Sequence, residues 1–113
     1  MKKFLCAVML VIFALSGAAF SQSYEEETYV REEAARRNMK LITLKEVQRI
    51  AIERVGKPGV TFKEIELKDE DDYYTTRQDF KPVWTIEAVA GGQEYEIDID
   101  AVTSEVLKFK LDN

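Results

Sequence analysis

From Gln93 onward the chain alternates. Glu94, Glu96, Asp98 and Asp100 interleave with Tyr95, Ile97 and Ile99, the period-two signature of a strand with one face in a core. A polar corner, Asp100-Ala101-Val102-Thr103-Ser104, follows. Beyond it Leu107, Phe109 and Leu111 alternate with Lys108 and Lys110, a second strand. Upstream, Gly91-Gly92 is a two-residue hairpin signal. It joins Gln93 to a strand over 83–90, in which Trp84, Ile86 and Ala88 share one side and Thr85 and Glu87 the other. Pro82 suits the start of that strand, where its missing N–H does least harm. The stretch 60–67 is also strand-like but its parity breaks, with Val60 and Phe62 in one phase and Ile65 and Leu67 in the other. A bulge near Lys63-Glu64 reconciles them.

The apolar period changes to 3–4 residues over Thr43–Val55, where Leu44, Val47, Ala51 and Val55 fall on one helical face. Thr43 and Glu46 form a capping box, and Ile42 with Val47 a hydrophobic staple. Gly56 supplies a left-handed end and Pro58 prevents continuation. Residues 22–41 are charged, with Glu25, Glu26 and Glu27 early and Arg36, Arg37 and Lys40 late, which suits the helix macrodipole. Glu27–Arg31, Glu32–Arg36 and Glu33–Arg37 stand four apart in the favourable order. The apolar stripe there (Tyr29, Val30, Ala34, Met39) is thin, so the segment reads as a helical extension or a flexible tether. The expected fold is α+β: one main helix packed on a four-stranded antiparallel sheet, preceded by a charged N-terminal helical extension.

Residues 1–21 carry a different signal. Lys2 and Lys3 precede the apolar run Phe4–Leu15, and small residues lead to a cleavage position after Ser21. This is the pattern of a secretory signal peptide, and it places the mature chain outside the cytoplasm, secreted or periplasmic. The run is too short against the ~20 residues of a membrane span, so no span is expected after cleavage. Cys6 lies near the start of the run rather than after it, which argues against a lipoprotein. It is the sole cysteine, so cleavage leaves no disulfide to form.

Charge and composition narrow the functions. Sixteen basic residues face 21 acidic ones, a net charge of −5 with no lysine or arginine cluster, so nucleic acid and acidic lipid are disfavoured as partners. With no histidine in the chain, a Ser-His-Asp triad and an imidazole zinc site are excluded. No catalytic residue, cofactor site or metal site is assigned. Asp98 and Asp100 point to the solvent face beside Glu96, where they could grip calcium or a basic partner. The stronger expectation is that Asp100 and Thr103 accept hydrogen bonds from the backbone of their own turn. Asp69-Glu70-Asp71-Asp72 lacks the ligand spacing, mid-loop glycine and closing glutamate of an EF-hand. It opens a long polar excursion from Lys68 to Lys81 that also carries Tyr73, Tyr74 and Phe80. Trp84, Tyr95 and Phe109 read as sheet core. The three loop aromatics are the candidate partner contacts.

These pieces together resemble the PepSY domain family. The resemblance rests on Thr43-Leu44-Lys45-Glu46-Val47, Val83-Trp84-Thr85-Ile86, Glu94-Tyr95-Glu96-Ile97 and the corner Asp100-Ala101-Val102-Thr103-Ser104-Glu105-Val106-Leu107. The family corner reads Asp-Ala-x-Thr-Gly-x-Val, so Asp100, Thr103 and Ser104 are its turn motif here, with Ser104 in place of glycine. Serine at positive φ costs ~1 kcal/mol. The resemblance implies a PepSY-like domain over residues 42–113, exported and non-enzymatic. Relatives occur in metallopeptidase propeptides, with a proposed inhibitory or chaperone role, and as small exported proteins. The expected partner is therefore a peptidase or another envelope protein. The alternative is an extracytoplasmic ligand- or calcium-binding protein using its acidic face.

Overall fold

A computed structural model describes residues 17–112, with side-chain environments from residue 25 onward. The expected signal peptide lies outside the described residues except for its last five positions. Two helices, α1 (Gly17–Arg36) and α2 (Leu44–Val55), precede four strands: β1 (Thr61–Asp69), β2 (Pro82–Ala90), β3 (Gln93–Asp100) and β4 (Val106–Leu111). The strands form one antiparallel meander in the order β1-β2-β3-β4. No described helix is long and apolar enough to cross a membrane.

Local chemistry sets the bounds of α2. Thr43 takes extended backbone angles, and its hydroxyl accepts the Glu46 amide at 3.1 Å. The second half of the expected capping box is replaced, because the Glu46 carboxylate takes Arg49 instead, at 2.6 Å. Gly56 ends the helix at φ 70° and returns its N–H to Ile52 O. Val47, Ala51 and Val55 are buried as the periodicity requires. Full burial of a side chain the size of Val47 contributes ~1.5 kcal/mol. Leu44 departs from the expectation and stands 45% exposed. It occupies the first turn, just past the cap, where the helix has not yet reached the core.

Part of the charged segment joins the core. α1 packs along β1, and Val30 and Ala34 are 0% and 1% exposed within the same core as α2. A stripe of one valine and one alanine suffices because Phe80, from the connection before β2, completes it. Tyr29 meets the Phe80 ring edge-on at 6.3 Å, and the Arg37 guanidinium covers that ring at 5.0 Å. Arg31 and Arg37 bond to Glu27 and Glu33 as the spacing predicts. Arg36 instead pairs with Glu33, three positions back and buried, rather than with the exposed Glu32. Arg37, held by its bond to Glu33, lowers the Glu33 carboxyl below its ordinary value. Asn38 takes a left-handed φ of 58°, and Met39 N–H closes on Ala34 O at 2.8 Å, the helix-ending geometry usually given to glycine.

Both helices lie on the apolar face of the sheet, made by Leu67, Trp84, Ile86, Tyr95, Ile97 and Ile99. The β1 register slips between Phe62 and Glu64, where the broken parity required a bulge. A second slip, between Asp98 and Ile99 on the β4 pairing, escapes the sequence pattern. It sets Val106 opposite Ile99, so Val106 and Phe109 pack against the core where Leu107 was expected to lead. Gly91 and Gly92 both take positive φ, 60° and 77°, as a two-residue hairpin with matching twist requires.

Candidate functional site

Helix coverage on one side leaves the other sheet face to charged residues. In one row across the sheet Glu64 stands opposite Glu87, Glu87 opposite Glu96, and Glu96 opposite Lys110. The next row runs Glu66, Thr85, Asp98 and Lys108. Directly opposed like charges destabilise a sheet, and here three carboxylates stand in file before a lysine answers them. Lys68 meets Glu66 at 3.2 Å; Lys108 reaches Glu96 and Asp98 at 3.7 and 3.9 Å, and Lys110 reaches Glu96 at 3.7 Å. These side chains other than Lys110, together with Glu70 and Asp72, line a polar cavity of about 190 Å³.

Proton affinities follow the crowding. The Glu66 side chain shares a hydrogen bond with Glu64, and with partial burial and the nearby Glu66 and Glu87 charges it pushes Glu64 up to about 7. Burial raises Glu70, reinforced by Asp98. Asp98 is raised by burial, against the pull of the Tyr73 hydroxyl and Lys108. The face can hold a proton near neutrality and attract positive charge. Among the described residues no group of three or more carboxylates or thiols is arranged to hold a metal ion.

The polar excursion between β1 and β2 bends over this face. A short 3-10 turn, Asp71–Tyr73, aims the Tyr73 hydroxyl at Asp98 Oδ2, 3.0 Å away. Tyr73 is thereby raised in pKa, first by burial and then by that bond. Tyr74 donates to Asp69 Oδ1 at 2.8 Å, which pushes its own pKa to about 12. The same Asp69 oxygen receives the Lys81 amide at 2.9 Å, closing the base of the loop. Of the three aromatics named as partner contacts, Tyr74 is 37% exposed and Tyr73 half-buried, but Phe80 is 1% exposed. Phe80 is corrected to a core residue: Tyr29 of α1 and Arg37, just past its end, seal it, a contact between segments far apart in the chain that no local pattern contains.

At the β3–β4 corner the turn motif behaves as its residue types demand. Asp100 Oδ1 accepts the Val102 and Thr103 amides at 2.8 and 2.9 Å, and Thr103 Oγ1 accepts the Glu105 amide at 3.2 Å. Ser104 sits at φ 74° and its amide donates to Asp100 O at 3.0 Å. Asp98 and Asp100 are not the solvent-facing pair the alternation suggests; they are 6% and 3% exposed. Tyr73 covers the first, and Lys81, at 2.6 Å, covers the second. Burial alone would raise Asp100, but the Lys81 bond and the two turn amides outweigh it and hold the carboxyl below its usual range. The corner also docks α2: Ile42 N–H donates to Ala101 O at 2.8 Å, and Trp84 Nε1 donates to Ile42 O at 3.2 Å.

Glu64, Glu66, Glu87 and Lys68 were missed as site residues. The period-two reading puts Glu87 on the polar face, leaves Glu64 at the bulge and Lys68 in the excursion, and does not say what stands opposite any of them; the strand register supplies that. No curated protein and no solved structure matches the chain. A family model, PepSY, described as peptidase propeptide and YPEB domain, matches residues 41–110. That span takes in α2, the sheet except for the last residue of β4 and the Asp100–Ser104 corner, and the chain belongs to the PepSY family.

Proposed function

We propose that this protein is an exported, non-enzymatic PepSY module that regulates a partner in the cell envelope, a peptidase in the first instance, by binding it. The observation that carries the reading is the family match across α2 and all four strands to within one residue of the end of β4, under a description that names peptidase propeptides. Geometry adds support: one sheet face is free of helices and charged, and the chain has no histidine to act as a general base at neutral pH. Export rests on the Lys2-Lys3 and Phe4–Leu15 pattern. Cleavage after Ser21 would leave α1 to begin at its charged portion, with Val30 and Ala34 retained in the core.

The test is the activity of co-secreted metallopeptidases with this protein in excess. Dose-dependent loss of activity is expected; full activity throughout removes the peptidase reading. The file of Glu64, Glu87 and Glu96 supports a second reading, a cation held on the acidic face. Millimolar calcium should then raise the melting temperature, since a ligand specific to the folded state stabilises it. An unmoved transition disposes of that alternative.

A further inference from the structure

β4 is the last strand of the sheet, and no described residue pairs with its outer side. The orientation of its free backbone groups follows from the ladder. Asp112 N–H donates to Glu94 O at 2.8 Å, which makes that pair and every second pair along the antiparallel ladder a hydrogen-bonded one. Lys110, opposite Glu96, and Lys108, opposite Asp98, therefore turn their amides inward. Phe109 and Leu111 turn theirs outward.

The two sides of this edge differ in chemistry. On the helix side, Ile50, Glu53 and Arg54 of α2 stand over Val106 and enclose a groove of about 290 Å³. Arg54 lies 5.2 Å over the Phe109 ring, and Leu111 is 49% exposed. On the polar side stand Lys108 and Lys110, whose contacts with Glu96 and Asp98 are long, at 3.7–3.9 Å. A strand laid along this edge must present apolar side chains to the groove and acidic ones to the lysines, residue by residue in alternation. β3 meets the inner side of β4 with that same pattern, setting Glu96, Ile97 and Asp98 opposite Lys110, Phe109 and Lys108.

We propose that the outer edge of β4 takes up an extended segment of another protein in which acidic and apolar residues alternate, adding a fifth strand to the sheet. The inference rests on the reading that this protein works by binding a partner, and names the surface and the partner's chemistry. The lysines make the edge selective, because edge lysines oppose indiscriminate strand pairing while a carboxylate-bearing strand neutralises them. A second copy fits less well. Its β1 edge carries Glu64, Ile65, Glu66 and Leu67 in the right alternation, but Ile65 and Leu67 already pack into their own core, and α1 lies along that strand.

The experiment titrates the isotopically labelled protein with a capped peptide, Glu-Tyr-Glu-Ile-Asp-Ile, and with its charge-inverted counterpart, Lys-Tyr-Lys-Ile-Lys-Ile, following backbone amides by NMR. The acidic peptide should shift the Phe109 and Leu111 amides saturably, and the basic one should bind about tenfold more weakly. Leu111→Pro removes an outward donor at an exposed position, and proline is tolerated there on an edge strand. It should abolish binding while the β3 amides keep their shifts. Lys110→Glu should reverse the peptide preference. Absence of binding, shifts confined to the open sheet face, or undiminished binding by Leu111→Pro overturns the proposal. So do concentration-dependent shifts at the same amides without peptide, which would assign the edge to a second copy. Peptidase inhibition is scored separately. Peptide binding without any inhibition keeps the edge and removes the peptidase, whereas inhibition unaltered by Leu111→Pro does the reverse.

Discussion

Lys81 and Asp100 tie the entrance of β2 to the exit of β3. Lys81 Nζ donates to Asp100 Oδ2 at 2.6 Å, with the two side chains 17% and 5% exposed, and Asp100 Oδ1 gathers two amides of the following turn. The same corner holds Ile42 through Ala101. One carboxylate thus links a strand connection, a turn and the entry to α2. Asp100→Asn keeps an oxygen for the turn but leaves Lys81 without its counter-charge. Removing one partner of a fully buried pair costs about 3–5 kcal/mol, and partial hydration of Lys81 should reduce this to about 2–3 kcal/mol. Urea denaturation at pH 7 measures it. The sign with pH also follows: the folded-state carboxyl titrates below its ordinary value, so its contribution is present at neutral pH and is lost as pH falls through that lowered value. Asp100→Asn should lack this acid-dependent loss.

Ser104 at φ 74° stores strain that glycine would not. Left-handed backbone costs a non-glycine residue roughly 1–2 kcal/mol, against a loss of about 0.5–1 kcal/mol for the greater freedom of glycine in the unfolded chain. Ser104→Gly should therefore stabilise the protein by about 0.5–1 kcal/mol, and Ser104→Val should destabilise it, since a branched side chain tolerates the conformation worst. Thermal unfolding of the two variants side by side checks both signs. A destabilised Ser104→Gly would mean that the serine side chain contributes to the turn in its own right.

The loop aromatics separate cleanly in energy. Phe80 is 1% exposed between Tyr29 and Arg37, and truncation to alanine should cost about 3–5 kcal/mol. Tyr74 is 37% exposed, and Tyr74→Phe should cost at most about 1 kcal/mol for its bond to Asp69. Tyr73→Phe lies between: it strips the hydroxyl from a buried carboxylate that keeps Lys108 at 3.9 Å, for about 1–2 kcal/mol. Chemical denaturation of the three variants should rank them in that order. Equal costs for Phe80→Ala and Tyr74→Phe would contradict the burial.

What the sequence disclosed depended on whether a signal was local. The Thr43 cap, the Gly56 terminator, the Gly91-Gly92 hairpin, the β1 bulge and the Asp100 turn each depend on a few neighbouring residues, and each stands where the pattern placed it. Phe80 escapes the pattern because its partners are Tyr29, on a distant helix with a thin apolar stripe, and Arg37, just past the end of that helix. Asp98 was misread because alternation gives the face of a residue and not what folds over it; Tyr73, 25 positions upstream, covers it. The Glu64, Glu87 and Glu96 row is a product of register across three strands, and no window within one strand contains it.

That row has a consequence for stability. Glu64 titrates near 7 in the folded protein against an ordinary 4.5. The folded state therefore binds a proton that the unfolded state has already released over this interval. Stability rises with pH only where the unfolded state holds more protons, and here the reverse applies. The Glu64 contribution favours folding below about 4.5, declines between 4.5 and 7, and is spent above. Glu64→Gln fixes the neutral form, keeps the hydrogen bond to Glu66 and removes a charge facing Glu87. The variant should match the parent near pH 4.5 and melt higher at pH 7.5, so the difference in melting temperature opens with pH. Scanning calorimetry of both proteins at half-unit steps reads it. A difference that stays constant, or closes as pH rises, would show that Glu64 carries no extra proton in the folded sheet.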